Sequence, residues 1–187
     1  MGLLTFKGGI HPNDGKSLAK DQPITELLPT GDLVYPLSQH IGAPAAALVK
    51  KGDTVLKGQK IAEAGGFVSA PIYASVSGTV KAVEKRLNPT GNNVDCIVIE
   101  NDGEYKEVEY APVKSLEELS KEEILNMIAD AGIVGMGGAG FPTRVKLSPK
   151  EPEKIEYIIA NCAECEPLLK LHRQVLEKYA YEIMSTL

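Results

Sequence analysis

Hydrophobic and polar positions change their rhythm twice along the chain. Up to about Leu28 the pairs Gly8-Gly9, His11-Pro12, Asn13-Asp14-Gly15 and Gln22-Pro23 punctuate too densely for a helix or a long strand, so residues 1–32 read as an extended lead-in. From Leu33 to Glu100 apolar residues come in short runs parted by turns. These runs are Leu33-Val34-Tyr35, Ala47-Leu48-Val49, Lys60 to Glu63, Ile72-Tyr73-Ala74, Gly78 to Val83 and Cys96 to Glu100. Strands this short and evenly spaced predict a small sandwich or barrel over residues 33–113.

The rhythm then lengthens to that of a helix. Ser120-Lys121-Glu122-Glu123 has the form of a capping box, worth about 1 kcal/mol for the cap. Ile124, Leu125, Ile128 and Ala131 follow on one face, and Gly132 ends the helix. Glu156 to Ala160 reads as a buried strand by composition. Pro167 fits the first position of a last helix carrying Leu168, Leu171, Val175, Leu176, Tyr179, Ile183 and Met184, with His172 facing solvent. That helix meets the end of the sequence at Thr186-Leu187 with no residue to stop it, so it reads as cut. Residues 114–187 are therefore expected to form the first part of an α/β domain. The chain as a whole is expected to be α+β and multidomain.

Composition narrows the function classes. Of 187 residues, 43% are hydrophobic and 24% charged, and the net charge is −5, which argues against nucleic acid as a partner. No apolar run approaches the roughly 20 residues of a membrane span, and the N-terminus lacks the regions of a signal peptide. Three cysteines do not make a disulfide framework, which fits a reducing compartment. Cys162-Ala163-Glu164-Cys165 is a CxxC, a pattern found in zinc sites, redox pairs and clusters. A structural metal wants four ligands, and the remaining cysteine, Cys96, falls in a predicted strand of the other domain, so no metal is expected. His11 and His40 read as hydrogen-bonded residues rather than ligands.

Candidate chemistry concentrates in two loops. Gly135-Met136-Gly137-Gly138-Ala139-Gly140-Phe141-Pro142-Thr143 places four glycines in a backbone with little side-chain cover, free to take positive φ and to approach an anion such as a phosphate closely. By itself the pattern also fits a turn joining a strand to a helix. Lys146 follows, and then the polar loop Asn161-Cys162-Ala163-Glu164-Cys165-Glu166-Pro167 lies between a predicted strand and a predicted helix, the usual setting of an α/β nucleotide site.

This order resembles the FMN-binding domain that the flavin subunit of respiratory complex I shares with the C subunit of the Rnf electron-transport complex. The resemblance implies that Gly135, Gly137, Gly138, Gly140 and Lys146 hold the FMN phosphate and ribityl chain. It also implies that Asn161, Glu164 and Glu166 line the flavin and the adjoining NADH pocket. Met136 stands where the complex I relatives have arginine, and Cys162 stands where a small residue such as glycine is expected. Thr5 to Pro12 resembles the opening of the RnfC family, as does Pro36 to Pro44.

Val49 to Ile61 is similar to lipoyl and biotinyl carrier domains, in which a Gly-Asp turn and a second glycine set a hammerhead of strands. Ser75 to Val80 looks like its pseudo-symmetric second half. Carrier domains present a modified lysine on the hairpin between the halves. Here that hairpin is Ala64-Gly65-Gly66-Phe67-Val68-Ser69-Ala70, which has no amine to acylate, so a barrel-sandwich hybrid without carrier chemistry is expected.

The resemblance implies a subunit that exchanges electrons between NADH and iron–sulfur clusters through FMN, coupled to ion transport. It would sit peripherally on the cytoplasmic face of the cell membrane with the other subunits of the complex. The 4Fe-4S clusters of the family are expected beyond these residues, and the chain by itself is expected to be inactive. Two other readings stay open: a flavin-dependent reductase subunit of the cobalamin reductase type, in whose family the flavin domain comes first, and a non-catalytic assembly module.

Overall fold

The computed structural model describes residues 13–112, 114–136, 138–159, 161 and 171–186. They belong to two compact units, one made of Leu28–Pro152 and one of Met1–Leu27 with Glu153–Leu187.

The larger unit is built on seven strands: β1 (Asp32–Pro36), β2 (Ala46–Ala47), β3 (Thr54–Val55), β4 (Lys60–Glu63), β5 (Ile72–Tyr73), β6 (Gly78–Leu87) and β7 (Asn93–Asn101). They form a four-stranded sheet in the order β1-β7-β6-β3 and a three-stranded sheet in the order β2-β4-β5, with every pairing antiparallel. Val55, Ile61, Val76, Val80, Ile97 and Ile99 are buried completely and fill the space between the sheets. Alternation explains the choice of face: Val80 pairs with Ile99, and both point inward. The register of β6 against β7 shifts between Val80 and Ala82, and such bulges bend a strand and help a small sheet to curl.

The hammerhead expected from the carrier-like phrase is present as hydrogen bonds. Gly52 N–H donates to Val80 O and Val80 N–H to Asp53 O, both at 2.8 Å. At a second corner, Gly58 N–H donates to Ala74 O at 2.7 Å and Ala74 N–H to Gln59 O at 2.9 Å. Buried polar groups are satisfied: Ser77 Oγ donates to Asp102 Oδ1 at 2.7 Å and accepts from Lys106 N–H at 2.9 Å.

Helix α1 (Lys121–Asp130) carries the expected capping box, with Glu123 N–H donating to Ser120 Oγ and Ser120 N–H to the Glu123 carboxylate. It joins the sandwich at its C-terminal end. Lys60 Nζ lies 3.5 Å from both Glu63 and Asp130, and the Tyr73 hydroxyl donates to Asp130 O. Burial pulls the Lys60 pKa down, but Tyr73, Glu63 and Asp130 outweigh it and leave it raised. Gly132 lies so close that a Cβ there would meet Pro71 O at 2.7 Å.

Helix α2 (Thr143–Lys146) is a single turn. The smaller unit holds α3 (Leu171–Lys178) and α4 (Ala180–Thr186), joined by bonds from Tyr179 N–H to Val175 O and from Ile183 N–H to Tyr179 O, so the last predicted helix is nearly continuous over its described part. His172 is exposed, as expected.

One expectation fails. Over the described part of the expected strand, residues 156–159, no strand forms and Tyr157, Ile158 and Ile159 are exposed, up to 85% at Ile159, while Ala160 lies outside the described residues. A strand of this composition needs a neighbour for its backbone groups, and none of the described residues pairs with it.

Candidate functional site

The glycine-rich loop spans the gap between α1 and α2 as a short antiparallel turn. Val134 bridges Pro142, with Gly135 N–H donating to Phe141 O at 2.8 Å and Thr143 N–H to Ile133 O at 3.0 Å. Its glycines serve different ends. Gly138 has φ +113°, and a Cβ there would meet nothing within 4 Å, so the backbone needs glycine for its conformation while the space beside it is open. Gly140 has φ +58° and is buried; a Cβ would meet Gln39 O at 2.7 Å and His40 Cα at 2.8 Å. Close approach to the sandwich is therefore what demands glycine at 140. Gly135 is exposed, and an added Cβ would meet Phe141 O no closer than 3.7 Å.

Met136, 95% exposed, covers nothing. At the far end of the turn Lys146 stands exposed as the last residue of α2. Arg144, two residues earlier, is half-buried and lines a cavity of about 160 Å³ with Glu63, Phe67, Ser69, Asp130 and Pro142. Neither Arg144 nor Lys146 has an ion-pair partner among the described residues. Sequence reasoning passed over Arg144. Its signal is its place directly after Phe141-Pro142-Thr143, two positions before Lys146.

Gly135, Gly138, Gly140 and Lys146 all belong to the larger unit. Asn161 belongs to the smaller one. Gly137, Glu164 and Glu166 lie outside the described residues, as do Cys162 and Cys165. Among the described residues no group of three or more His, Cys, Asp or Glu side chains is placed to hold a metal ion, and no helix is long and apolar enough to cross a membrane.

An FMN phosphate fits what is present. The backbone at Gly138 opens onto free space, and two cations with no ion pair among the described residues, Arg144 and Lys146, follow the turn in sequence. The carbonyl of Ala139, which would repel an anion, is engaged by Ile41 N–H at 3.0 Å.

Residues 128–187 match the family model of the Nuo51 FMN-binding domain. Over 178 residues the chain is 48% identical to the C subunit of the proton-translocating ferredoxin:NAD(+) oxidoreductase complex of Clostridium ljungdahlii, an alignment covering 94% of this chain and 39% of the relative. It is 42% identical over 184 residues to the C subunit of the Na(+)-translocating ferredoxin:NAD(+) oxidoreductase complex of Acetobacterium woodii, covering 98% of this chain and 42% of that one. The C subunit of the ion-translocating oxidoreductase complex of Vibrio cholerae is 41% identical over 185 residues, 98% of this chain and 24% of the relative. The chain thus spans about two fifths or less of the length of these curated relatives. With residues 4–104, more than half of its length, matching the RnfC barrel sandwich hybrid domain model, and with the two-sheet sandwich just described, the chain belongs to the RnfC family.

Proposed function

We propose that this chain supplies the phosphate-holding end of an FMN site in an Rnf-type oxidoreductase subunit. That subunit would exchange electrons between NAD(H) and iron–sulfur clusters within a membrane-bound, ion-translocating complex. The observation that carries the reading is the glycine-rich turn inside the stretch that matches an FMN-binding domain. The turn is open at Gly138, and Arg144 and Lys146, which follow it, have no ion pairs among the described residues. Likeness to C subunits of ion-translocating complexes, two of them ferredoxin:NAD(+) oxidoreductases, supports the electron-transfer and ion-transport part of the reading.

The backbone around Gly138 takes the phosphate at close range, where a side chain would hold it off. Lys146 gives a charge-assisted contact. Gly135, Gly137 and Gly140 are assigned, with Gly138, to the phosphate and ribityl chain. Asn161, Glu164 and Glu166 are assigned to the flavin and the NADH pocket. FMN, when bound, supplies the conversion between two-electron and one-electron transfer, and the protein supplies position and electrostatics.

Residues 33–113 and 114–187 are two domains in this reading, preceded by the lead-in of 1–32. Support comes from the separate matches over 4–104 and 128–187. Their boundary is one of ancestry rather than packing, since α1 and the glycine turn share a compact unit with the sandwich. The subunit would sit peripherally on the cytoplasmic face of the membrane, with its 4Fe-4S clusters held by residues outside this chain.

Flavin titration of a full-length family member carrying these residues tests the reading. FMN should bind at least about tenfold more tightly than riboflavin, which lacks the phosphate, and Lys146→Ala should close much of that gap. Equal affinity for the two flavins would overturn the assignment of the turn.

A further inference from the structure

The hairpin of residues 64–70 is the place where carrier domains present their modified lysine, and here it is turned to a different use. Residues 39–44 lie between this hairpin and the glycine turn and contact both. On the hairpin side Ala43 N–H donates to Val68 O at 3.0 Å. Glycines permit the approach: a Cβ at Gly42 (φ +96°) would collide with Val68 O, and one at Gly65 with Pro44 O. On the other side Ile41 N–H donates to Ala139 O at 3.0 Å, and Gly140 sits against Gln39 and His40 with no room for a side chain.

His40 is the side chain common to both contacts. Its Nδ1 lies 3.2 Å from Ile41 O, and its Nε2 lies 3.1 Å from both the amide nitrogen and the carbonyl oxygen of Ala70. With its proton on Nδ1 the ring donates to Ile41 O and accepts from Ala70 N–H; with its proton on Nε2 it donates to Ala70 O, so either tautomer bonds the hairpin's last residue. The ring therefore ties the hairpin's last residue to the residue whose own N–H holds Ala139.

We propose that the lysine-free hairpin and residues 39–44 form a footing that fixes the glycine turn for the flavin phosphate, with His40 as the positioning residue. The barrel-sandwich domain would then be a working part of the flavin site. This rests on the reading of the turn as an FMN phosphate site. The physical case is that loops ordered before binding lose less freedom on binding, and that the Ala139 carbonyl is held on Ile41 when the anion arrives.

The test has two arms. In the 187-residue chain, hydrogen exchange of residues 135–142 and 64–70 should quicken by about tenfold in His40→Ala and in Gly140→Ala, while β7 residues 96–99 keep their protection. His40→Gln, which can donate to Ile41 O and accept from Ala70 N–H, should stay close to wild type. In a full-length family member, His40→Ala should weaken FMN about tenfold, leave riboflavin affinity unchanged, and be rescued by His40→Gln. Unchanged exchange in both disrupting variants would overturn the footing. Equal loss of FMN and riboflavin in His40→Ala would show a general structural role and overturn the positioning. Wild-type protein that does not distinguish the two flavins would overturn the phosphate site itself, a failure separable from that of the footing by the exchange arm.

Discussion

Residue by residue, what the sequence conceals most is why a glycine is a glycine. Four of them within six positions read as one phosphate cradle, yet Gly138 answers to its backbone conformation and open space while Gly140 answers to the backbone of Gln39 and His40, about a hundred residues away in sequence. No local pattern separates the two, because the neighbour at 39 is set by the fold. The same holds for Ala64 to Ala70. That it lacks a lysine is legible, so no lipoyl or biotinyl group should be attached, and intact mass after co-expression with the ligases should show the unmodified chain. That the hairpin packs on residues 39–44 is not legible. In the core the pattern was readable: Ile97, fully buried and central in β7, was marked by the run Cys96 to Glu100. Ile97→Ala should cost about 2–5 kcal/mol in denaturant unfolding, and a loss below about 1 kcal/mol would mean the site collapses around the cavity.

Among the elements, six of the seven strands and α1 stood out from rhythm and caps, β2 only at Ala47, and the carrier-like phrase gave the corners. Strand β3, two residues inside that phrase, carries no periodicity of its own and went unread. Residues 156–159 show the opposite fault: composition announces a buried strand, but pairing partners are not encoded in the segment. The capping box of α1 is both legible and present, and Ser120→Ala should cost about 1 kcal/mol of helix stability. Its Glu123 carboxyl is held below its usual pKa, first by the Ser120 backbone N–H, then by the Ser120 side chain and by Lys114. A depressed folded-state value means that this contribution is fully present above the unfolded carboxylate pKa of about 4.3 and is lost as pH falls through the folded one. Glu123→Gln should therefore flatten the acid limb of α1 melting, measured by helix-specific exchange between about pH 5 and pH 2.5. An unchanged limb would place the acid sensitivity elsewhere.

Across the whole molecule the packing divides the chain differently from the family matches. Among the described residues all the fully buried side chains fall between Val55 and Ile99, so the stability of Leu28–Pro152 is that of the sandwich, with α1 and the glycine turn fastened to it. The described residues of the smaller unit contribute no buried core, and its apolar run at 155–159 stays open to water. Limited proteolysis should accordingly cut first after residue 152 and leave a resistant product close to 28–152. The same asymmetry predicts how the chain handles flavin. The turn can meet a phosphate, but on its outward side a Cβ at Gly138 would touch nothing and Met136 is almost fully exposed, so no wall for an isoalloxazine ring stands there among the described residues. Ring burial supplies much of a flavin's affinity, and every 1.4 kcal/mol without it weakens binding about tenfold. The 187-residue chain should bind FMN at least about a hundredfold more weakly than a full-length family member, with a larger share of its affinity lost on adding salt, because the phosphate contact would carry most of it. Fluorescence titration of both proteins at low and high ionic strength measures this, and tight, salt-insensitive binding by the 187-residue chain would show that its own residues wall the ring.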